Sequence, residues 1–239
     1  MVLESLEHPF SCFVTLTYNP ENIPLDHSVS KRAVQLFLKR LRKEISPRQF
    51  RYYAAGEYGE ENWRPHYHLI LFGISPTEET LITKCWPYGF IQMGTAQQES
   101  MSYCASYIVK RMTNAKDSRL NGLNPEFSLM SRKPGIGAAS VNTMAEAYQT
   151  EAGQALLAKN HWIITKIRTN GSKFPLADYL KRKLVTKLSL TKEQQSEYRI
   201  MQMQEAELKR PKTKKERYRQ RQSQLAAESG KLSLRRKSL

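Results

Sequence analysis

His66 and His68 stand two apart in the run Pro65-His66-Tyr67-His68-Leu69-Ile70-Leu71-Phe72. The residues after them form the short apolar stretch expected of a buried strand. Side chains alternate faces along a strand, so both imidazoles project to the same side, one pleat apart. Two imidazoles on a rigid strand supply half of a metal site. If Arg51–Glu57 and Pro65–Phe72 pair as a hairpin around a Gly59–Arg64 turn, a symmetric register sets Glu57 opposite His66 and diagonal to His68. Cross-strand Cβ atoms on one face are then about 5 Å apart. A one-residue slip would send Glu57 to the other face, leaving Glu60 or Glu61 in the turn as the fallback ligand. Two nitrogens and one oxygen leave positions open for water and a phosphate oxygen. Imidazole favours transition metals, whereas carboxylate and phosphate suit Mg²⁺ or Mn²⁺. Mn²⁺ fits the mixture, Mg²⁺ is the abundant physiological ion, and ligand identity alone leaves Zn²⁺ open.

A second constellation follows some thirty-five residues later. Tyr103 and Tyr107 lie at helical i, i+4 spacing, with Lys110 three residues beyond. Aromatic pairs at this spacing usually pack in a core, but a core face does not set an ammonium beside its rings. A phenol has a pKa near ~10 and needs a neighbouring cation to act as a nucleophile at neutral pH. Beside a metal that polarises a phosphate, this pattern points to cleavage of a phosphodiester through a covalent phosphotyrosine. Two phenols one turn apart suggest cutting and rejoining rather than simple hydrolysis.

The elements that must position these groups can be read along the chain. Phe13–Tyr18 is β-branched and aromatic and stops at Asn19-Pro20, which predicts a strand. Ser28 or Ser30 caps a helix whose apolar positions Val34, Phe37, Leu38 and Leu41 recur at helical spacing, ending before Pro47. Arg51–Glu57 and the histidine run are strands, 77–86 is helical, 88–93 is a short strand, and 97–112 is the tyrosine helix. This order is close to the split βαβ, ferredoxin-like arrangement: an α+β fold with an antiparallel sheet and helices on one side. Residues 114–139 read as loop, 143–159 as helix and 161–169 as a strand. Asn170-Gly171 is a hairpin turn signal, and the chain is helical from Leu176. Past Lys209 it is expected to be disordered without a partner.

Charge sharpens the picture. The 239-residue chain carries a formal net charge of +16, and from Lys181 onward 18 lysines and arginines face 6 carboxylates. The expected organisation is therefore a body over 1–180, with its core in 10–115, and a basic arm over 181–239. The arm lacks an apolar face with aromatic anchors, so nucleic acid is a better partner than a membrane. Three cysteines without CxxC spacing exclude a disulfide framework and a structural zinc knuckle. No run approaches the ~20 apolar residues of a membrane span, and no signal-peptide stretch opens the chain. The expectation is a cytosolic, soluble protein.

Phe13–Tyr18, the Pro65-His66-Tyr67-His68-Leu69 run and Tyr103-x-x-x-Tyr107-x-x-Lys110 resemble, in that order, the three motifs of HUH rolling-circle replication initiators. Gly56-Glu57-Tyr58-Gly59, Leu129–Gly137 and a hairpin followed by Pro175-Leu176 and a Lys/Arg-rich segment resemble the initiator of microviruses, in the gokushovirus branch. The likeness covers most of residues 10–185. It implies an endonuclease that nicks single-stranded and nicked origin DNA in the cytoplasm of a bacterial host, makes a 5′-phosphotyrosine link, and recircularises the displaced genome. His66 and His68 match the family's metal histidines and Glu57 its third polar ligand. Tyr107 matches the tyrosine of the Tyr-x-x-Lys signature, and Tyr103 the partner of two-tyrosine members. No Walker-type glycine loop is present, so a host helicase and a host polymerase are the implied partners.

For DNA contacts, the phosphate-binding candidates are Lys39 and Arg42 on the first long helix, Arg132 and Lys133 in the loop, and Lys181, Arg182 and Lys183 in the arm. Tyr52, Tyr53, Tyr58, Trp63 and Trp86 are candidates for stacking on unpaired bases. Two other readings compete: a non-catalytic basic DNA-binding or packaging protein, and a single-tyrosine transposase or relaxase on the same scaffold.

Overall fold

The computed structural model describes residues 1–59, 62–110, 117–162, 164–169 and 171–209. The chain divides into two compact units, Met1–Ala139 and the part from Ser140 onward. The expected disorder past Lys209 concerns residues outside the described ones.

In the first unit a short helix α1 (Val2–Ser5) precedes strand β1 (Ser11–Tyr18), helix α2 (Lys31–Ile45) and strands β2 (Arg51–Tyr58) and β3 (Pro65–Phe72). Helix α3 (Glu79–Cys85), strand β4 (Gly89–Thr95), helix α4 (Gln98–Lys110), a 3₁₀ turn at Ser118–Leu120 and strand β5 (Phe127–Met130) complete it. The strands form one sheet in the order β4-β1-β3-β2-β5, with every neighbouring pair antiparallel. The unit is α+β with an antiparallel sheet, as expected. β1 and β2 run in the same direction with β3 between them, joined through α2.

Helix α2 starts where Ser30 Oγ accepts the Ala33 N–H at 3.1 Å, so Ser30 rather than Ser28 is the cap. Its apolar stripe, Val34, Phe37, Leu38 and Leu41, is buried against Cys12, Val14, Leu16, Leu69 and Leu71 of the sheet, with Ile82 and Trp86 beside them. Each such side chain contributes about 1.5–3 kcal/mol by leaving water. The last N–H groups before α2 are bound by phenols that reach across from the sheet. Val29 N–H donates to Tyr58 Oη at 3.1 Å and Ser30 N–H to Tyr67 Oη at 2.9 Å.

The opposite face carries Tyr53, Ala55, Ile70 and Phe72, covered by Met101 and Cys104 of α4 with Phe13 alongside. The helices thus lie on both faces of the sheet, which corrects the expectation of one. The physical reason is in β3, where all of Leu69–Phe72 is buried. Both alternating sets of side chains are apolar, so neither face can be left to water.

The second unit holds helices α5 (Ser140–Gln149) and α6 (Glu151–Lys159), strands β6 (Lys166–Thr169) and β7 (Ser172–Pro175), and helices α7 (Asp178–Lys187) and α8 (Lys192–Lys209). The helix expected over 143–159 is two helices. Thr150 Oγ1 accepts from Gly153 N at 3.1 Å and starts a new one, and a Cβ on Gly153 would lie 2.2 Å from the Ala147 carbonyl. The strand expected from 161 pairs only from Lys166, because His161 and Trp162 take φ of 51° and 67° and turn the chain. Thr169 pairs with Ser172 around the predicted two-residue turn, with Gly171 at φ 76°. All three cysteines are free and buried. Among the described residues no helix is long and apolar enough to cross a membrane.

Candidate metal and nucleophile site

The β2–β3 register decides whether the proposed ligands meet. Glu57 pairs with His66, and Ala55 with His68, which is the register that places Glu57 on the histidine face. Across the sheet, Phe90, Thr17, His66 and Glu57 form one row and Gln92, Thr15, His68 and Ala55 the next. Glu57 Oε1 sits 2.8 Å from His68 Nε2, the diagonal neighbour.

Each imidazole is held at its other nitrogen. His66 Nδ1–H donates to the Arg64 carbonyl at 2.6 Å, so Nε2 carries the lone pair. Burial pushes the pKa of His66 below its ordinary value, outweighing that hydrogen bond. The ring is therefore neutral at physiological pH, the form that binds a metal. Its position depends on Gly59, where a Cβ would come within 3.0 Å of His66 Cε1. His68 Nδ1 lies 3.1 Å from Thr15 Oγ1, a hydroxyl that can either donate to or accept from the ring. Anchoring the far nitrogen in this way fixes ring orientation at metal sites. Among the described residues no three His, Cys, Asp or Glu side chains converge as a ready-made cage, and Glu57 and His68 are bonded to each other. The donor set still fits a small divalent ion: two orientation-locked imidazoles and one carboxylate share a face, and His66 Nε2 has no protein partner among the described residues. Glu60 and Glu61, the fallback ligands, lie outside the described residues.

Helix α4 covers this same face. The Tyr103 ring packs edge-on against His68 with centroids 5.5 Å apart, while Phe13 stacks flat on His68 at 5.7 Å and 5°. Phe13 also meets Tyr103 edge-on at 6.2 Å. Phe13, His68 and Tyr103 thus brace one another. Tyr107 and Lys110 occupy the last turns of α4, and their side chains lie outside the described residues.

The remaining candidates are dispersed. Lys39 is exposed on α2, in the layer on the opposite face of the sheet from His66. Arg42 lies over the rings of Phe50 and Tyr52 at 5.3 and 5.6 Å, and lines a cleft with Arg132 and Lys133. Lys181 binds Asp178 at 2.9 Å and Lys183 lies over Tyr179, both in α7 of the second unit together with Arg182. Among the stacking candidates, Tyr53, Tyr58 and Trp86 are buried in the core, which removes them from that role. Trp63 is exposed and Tyr52 half-buried. Sequence reading missed Phe90, which is 62% exposed and shares the His66 row. Its signal was a large apolar residue at an outward position of an edge strand.

Residues 11–112 match a family model for replication-associated proteins of the ORF2 type. The chain is 31% identical over 147 residues to replication-associated protein ORF2 of Spiroplasma virus 4, covering 52% of this chain and 45% of that protein. It is 28% identical over 127 residues to replication-associated protein VP4 of Bdellovibrio phage phiMH2K, covering 44% and 40%. It is 24% identical over 131 residues to replication-associated protein ORF4 of Chlamydia phage 1, covering 46% and 33%. The chain thus spans less than half the length of each of these relatives. No solved structure matches. Over residues 11–112 the chain carries the pattern of the replication-associated ORF2 family, and the kinship with phage replication proteins that its motifs pointed to is borne out.

Proposed function

We propose that this chain is a replication initiator that nicks and rejoins single-stranded phage DNA with a tyrosine nucleophile on an HUH endonuclease scaffold of ferredoxin-like type. One observation carries the reading: His66, His68 and Glu57 share a sheet face on which the Tyr103 ring packs 5.5 Å from His68. A Mn²⁺ or Mg²⁺ ion held by those three residues would polarise the scissile phosphate and offset its developing charge.

The chain's own groups do the rest. The Arg64 carbonyl and Thr15 hydroxyl fix the imidazoles so that substrate binding does not have to order them. Tyr107, with Tyr103 one turn before it in α4, supplies the phenol oxygen that bonds to phosphorus as the bond to the 3′-oxygen breaks. The phenol loses its proton, the 3′-oxygen gains one, and the 5′-phosphate stays on the tyrosine. Lys110 favours the phenolate. Because the ester retains the energy of the broken bond, the second tyrosine can cut the next junction while the freed 3′-hydroxyl attacks the first ester and closes the circle. In between, that hydroxyl primes a host polymerase while a host helicase separates the strands. Phe90, in the His66 row, is a stacking position for a base beside the cut.

The direct Glu57–His68 hydrogen bond favours a second reading, a basic DNA-binding protein in which the histidines are structural. The test is incubation of the protein with a labelled single-stranded origin oligonucleotide and Mn²⁺, followed by denaturing electrophoresis. An SDS-resistant shifted band, absent for Tyr107→Phe and with EDTA, supports the enzyme. Binding indifferent to chelator, with no band for the wild type, overturns it.

A further inference from the structure

The outer edge of the sheet carries a second site. A cleft of about 950 Å³ is lined by Arg42, Phe50, Arg51, Tyr52, Arg132 and Lys133, among others, with Glu4 and Glu7 as its carboxylates. That volume is at the upper end for small-molecule and nucleotide pockets. It sits at the Arg51 end of β2, six residues from Glu57, or about 20 Å along the strand. It is therefore separate from the metal face.

The charges in the cleft are not equivalent. Glu4 is 2% exposed and consumes Arg51 in an ion pair. The same carboxylate accepts the Gly137 N–H, while Arg51 also donates to the Pro134 carbonyl at 2.6 Å. Tyr52 N–H donates to Ser131 Oγ at 3.1 Å, and Ser131 N–H to the Tyr52 carbonyl at 3.0 Å. The buried Glu4 thus ties α1, β2 and the 131–137 loop into one rigid rim. On that rim Arg132 and Lys133 are exposed, and among the described residues neither they nor Arg42 meets a carboxylate. Arg42 instead lies flat enough over Tyr52 and Phe50 to make cation–π contacts, and its outer face is open to solvent. A fixed pair of cations beside an arginine backed by aromatic rings suits a flexible polyanion bearing flat rings: the cations take phosphates and the guanidinium plane takes a base. Because the rim is already ordered, binding there costs little further entropy.

We propose that this cleft grips single-stranded DNA at a distance from the cut, holding the strand through two phosphates and one stacked base. The choice of DNA rests on the replication reading, but the site does not depend on nicking. The test is fluorescence anisotropy of the full chain with a labelled 20-mer single strand of mixed sequence, in EDTA, over a salt series. Arg132→Ala/Lys133→Ala is expected to lower affinity about tenfold or more at 0.15 M salt. It should also reduce the slope of log K against log salt by about 1.4, since each single-strand phosphate contact contributes about 0.7. Arg42→Lys keeps the charge but loses the planar stack, so it should weaken binding severalfold with the slope unchanged. Lys84→Ala/Arg119→Ala removes two surface cations elsewhere and serves as the charge-matched control. An unchanged slope in the loop variant, an equal loss in the control, or equal affinity for RNA or a DNA duplex would overturn the proposal. Failure of the nickase reading shows differently: no variant forms a covalent band, while the anisotropy results stand.

Discussion

Tyrosines occur on both faces of the sheet, and the two faces treat them in opposite ways. Tyr18, Tyr58 and Tyr67 belong to the face under α2, where burial pushes all three phenols to higher pKa. Tyr67 Oη binds Tyr18 Oη at 3.0 Å and accepts from Ser30, and Tyr58 Oη donates to the Asn124 carbonyl at 2.7 Å. These hydroxyls are sealed and occupied. On the other face Tyr103 is half-buried and packs on a histidine whose row neighbours Thr15 and Gln92 are partly or fully open to water. The contrast shows that the phenols are assigned roles by which pleat they share or cover, one working as structural hydrogen-bond partner and the other standing at a place where chemistry is possible.

Breaking the open face should have the largest effect on function. His66→Ala or His68→Ala is expected to lower covalent adduct formation at least ~100-fold in gel assays, with the melting temperature little changed; loss of an orienting neighbour alone costs 10–100-fold at metal sites. Breaking the sealed face should do the reverse. Tyr67→Phe leaves the buried Ser30 N–H without its acceptor and should cost about 1–3 kcal/mol in urea unfolding, while adduct yield per folded molecule is retained. Tyr103→Phe, which keeps the ring on His68, should leave stability unaltered and impair rejoining more than the first cut.

Smaller changes sharpen the same contrast. Gly59→Ala crowds the His66 ring and should weaken Mn²⁺ binding about tenfold by titration calorimetry, an effect on the order of other losses around a ligand. Under α2, burial pushes the Cys12 thiol from 9.0 up to about 12. The folded protein keeps Cys12 neutral, so the associated stability is full below pH 9 and is lost as pH climbs towards 12. At pH 8 Cys12 should resist iodoacetamide in the native protein and react once urea unfolds it, as mass spectrometry would show.

Much of the metal face was legible because hairpin geometry is local. A turn over Gly59–Arg64 and side-chain alternation suffice to bring Glu57 to His66, and the structure has that register. The placement of α4 was legible only in part. Its helical spacing was clear, but covering the face opposite α2 depends on Phe13, Ile70 and Phe72 being apolar as well as Val14, Leu69 and Leu71, a two-sided pattern visible in β3 yet read as one-sided. The edge strand β5 was hidden within the segment read as loop, since Phe127–Met130 is only four residues long and forms by pairing with Tyr53–Gly56. The role of Glu4 left no local signal at all, because its partners Arg51 and Gly137 are remote in sequence. Long-range ion pairs of that kind are written in the fold, not in spacing.

Titration of the DNA-free protein with Mn²⁺, followed by the loss of the free-ion electron paramagnetic resonance signal, tests the central claim most directly. One tightly held ion per chain, abolished in a His66→Ala/His68→Ala variant and weakened in Glu57→Gln, is the predicted result. Undiminished uptake by the double variant, or no uptake by the wild-type chain, would contradict it.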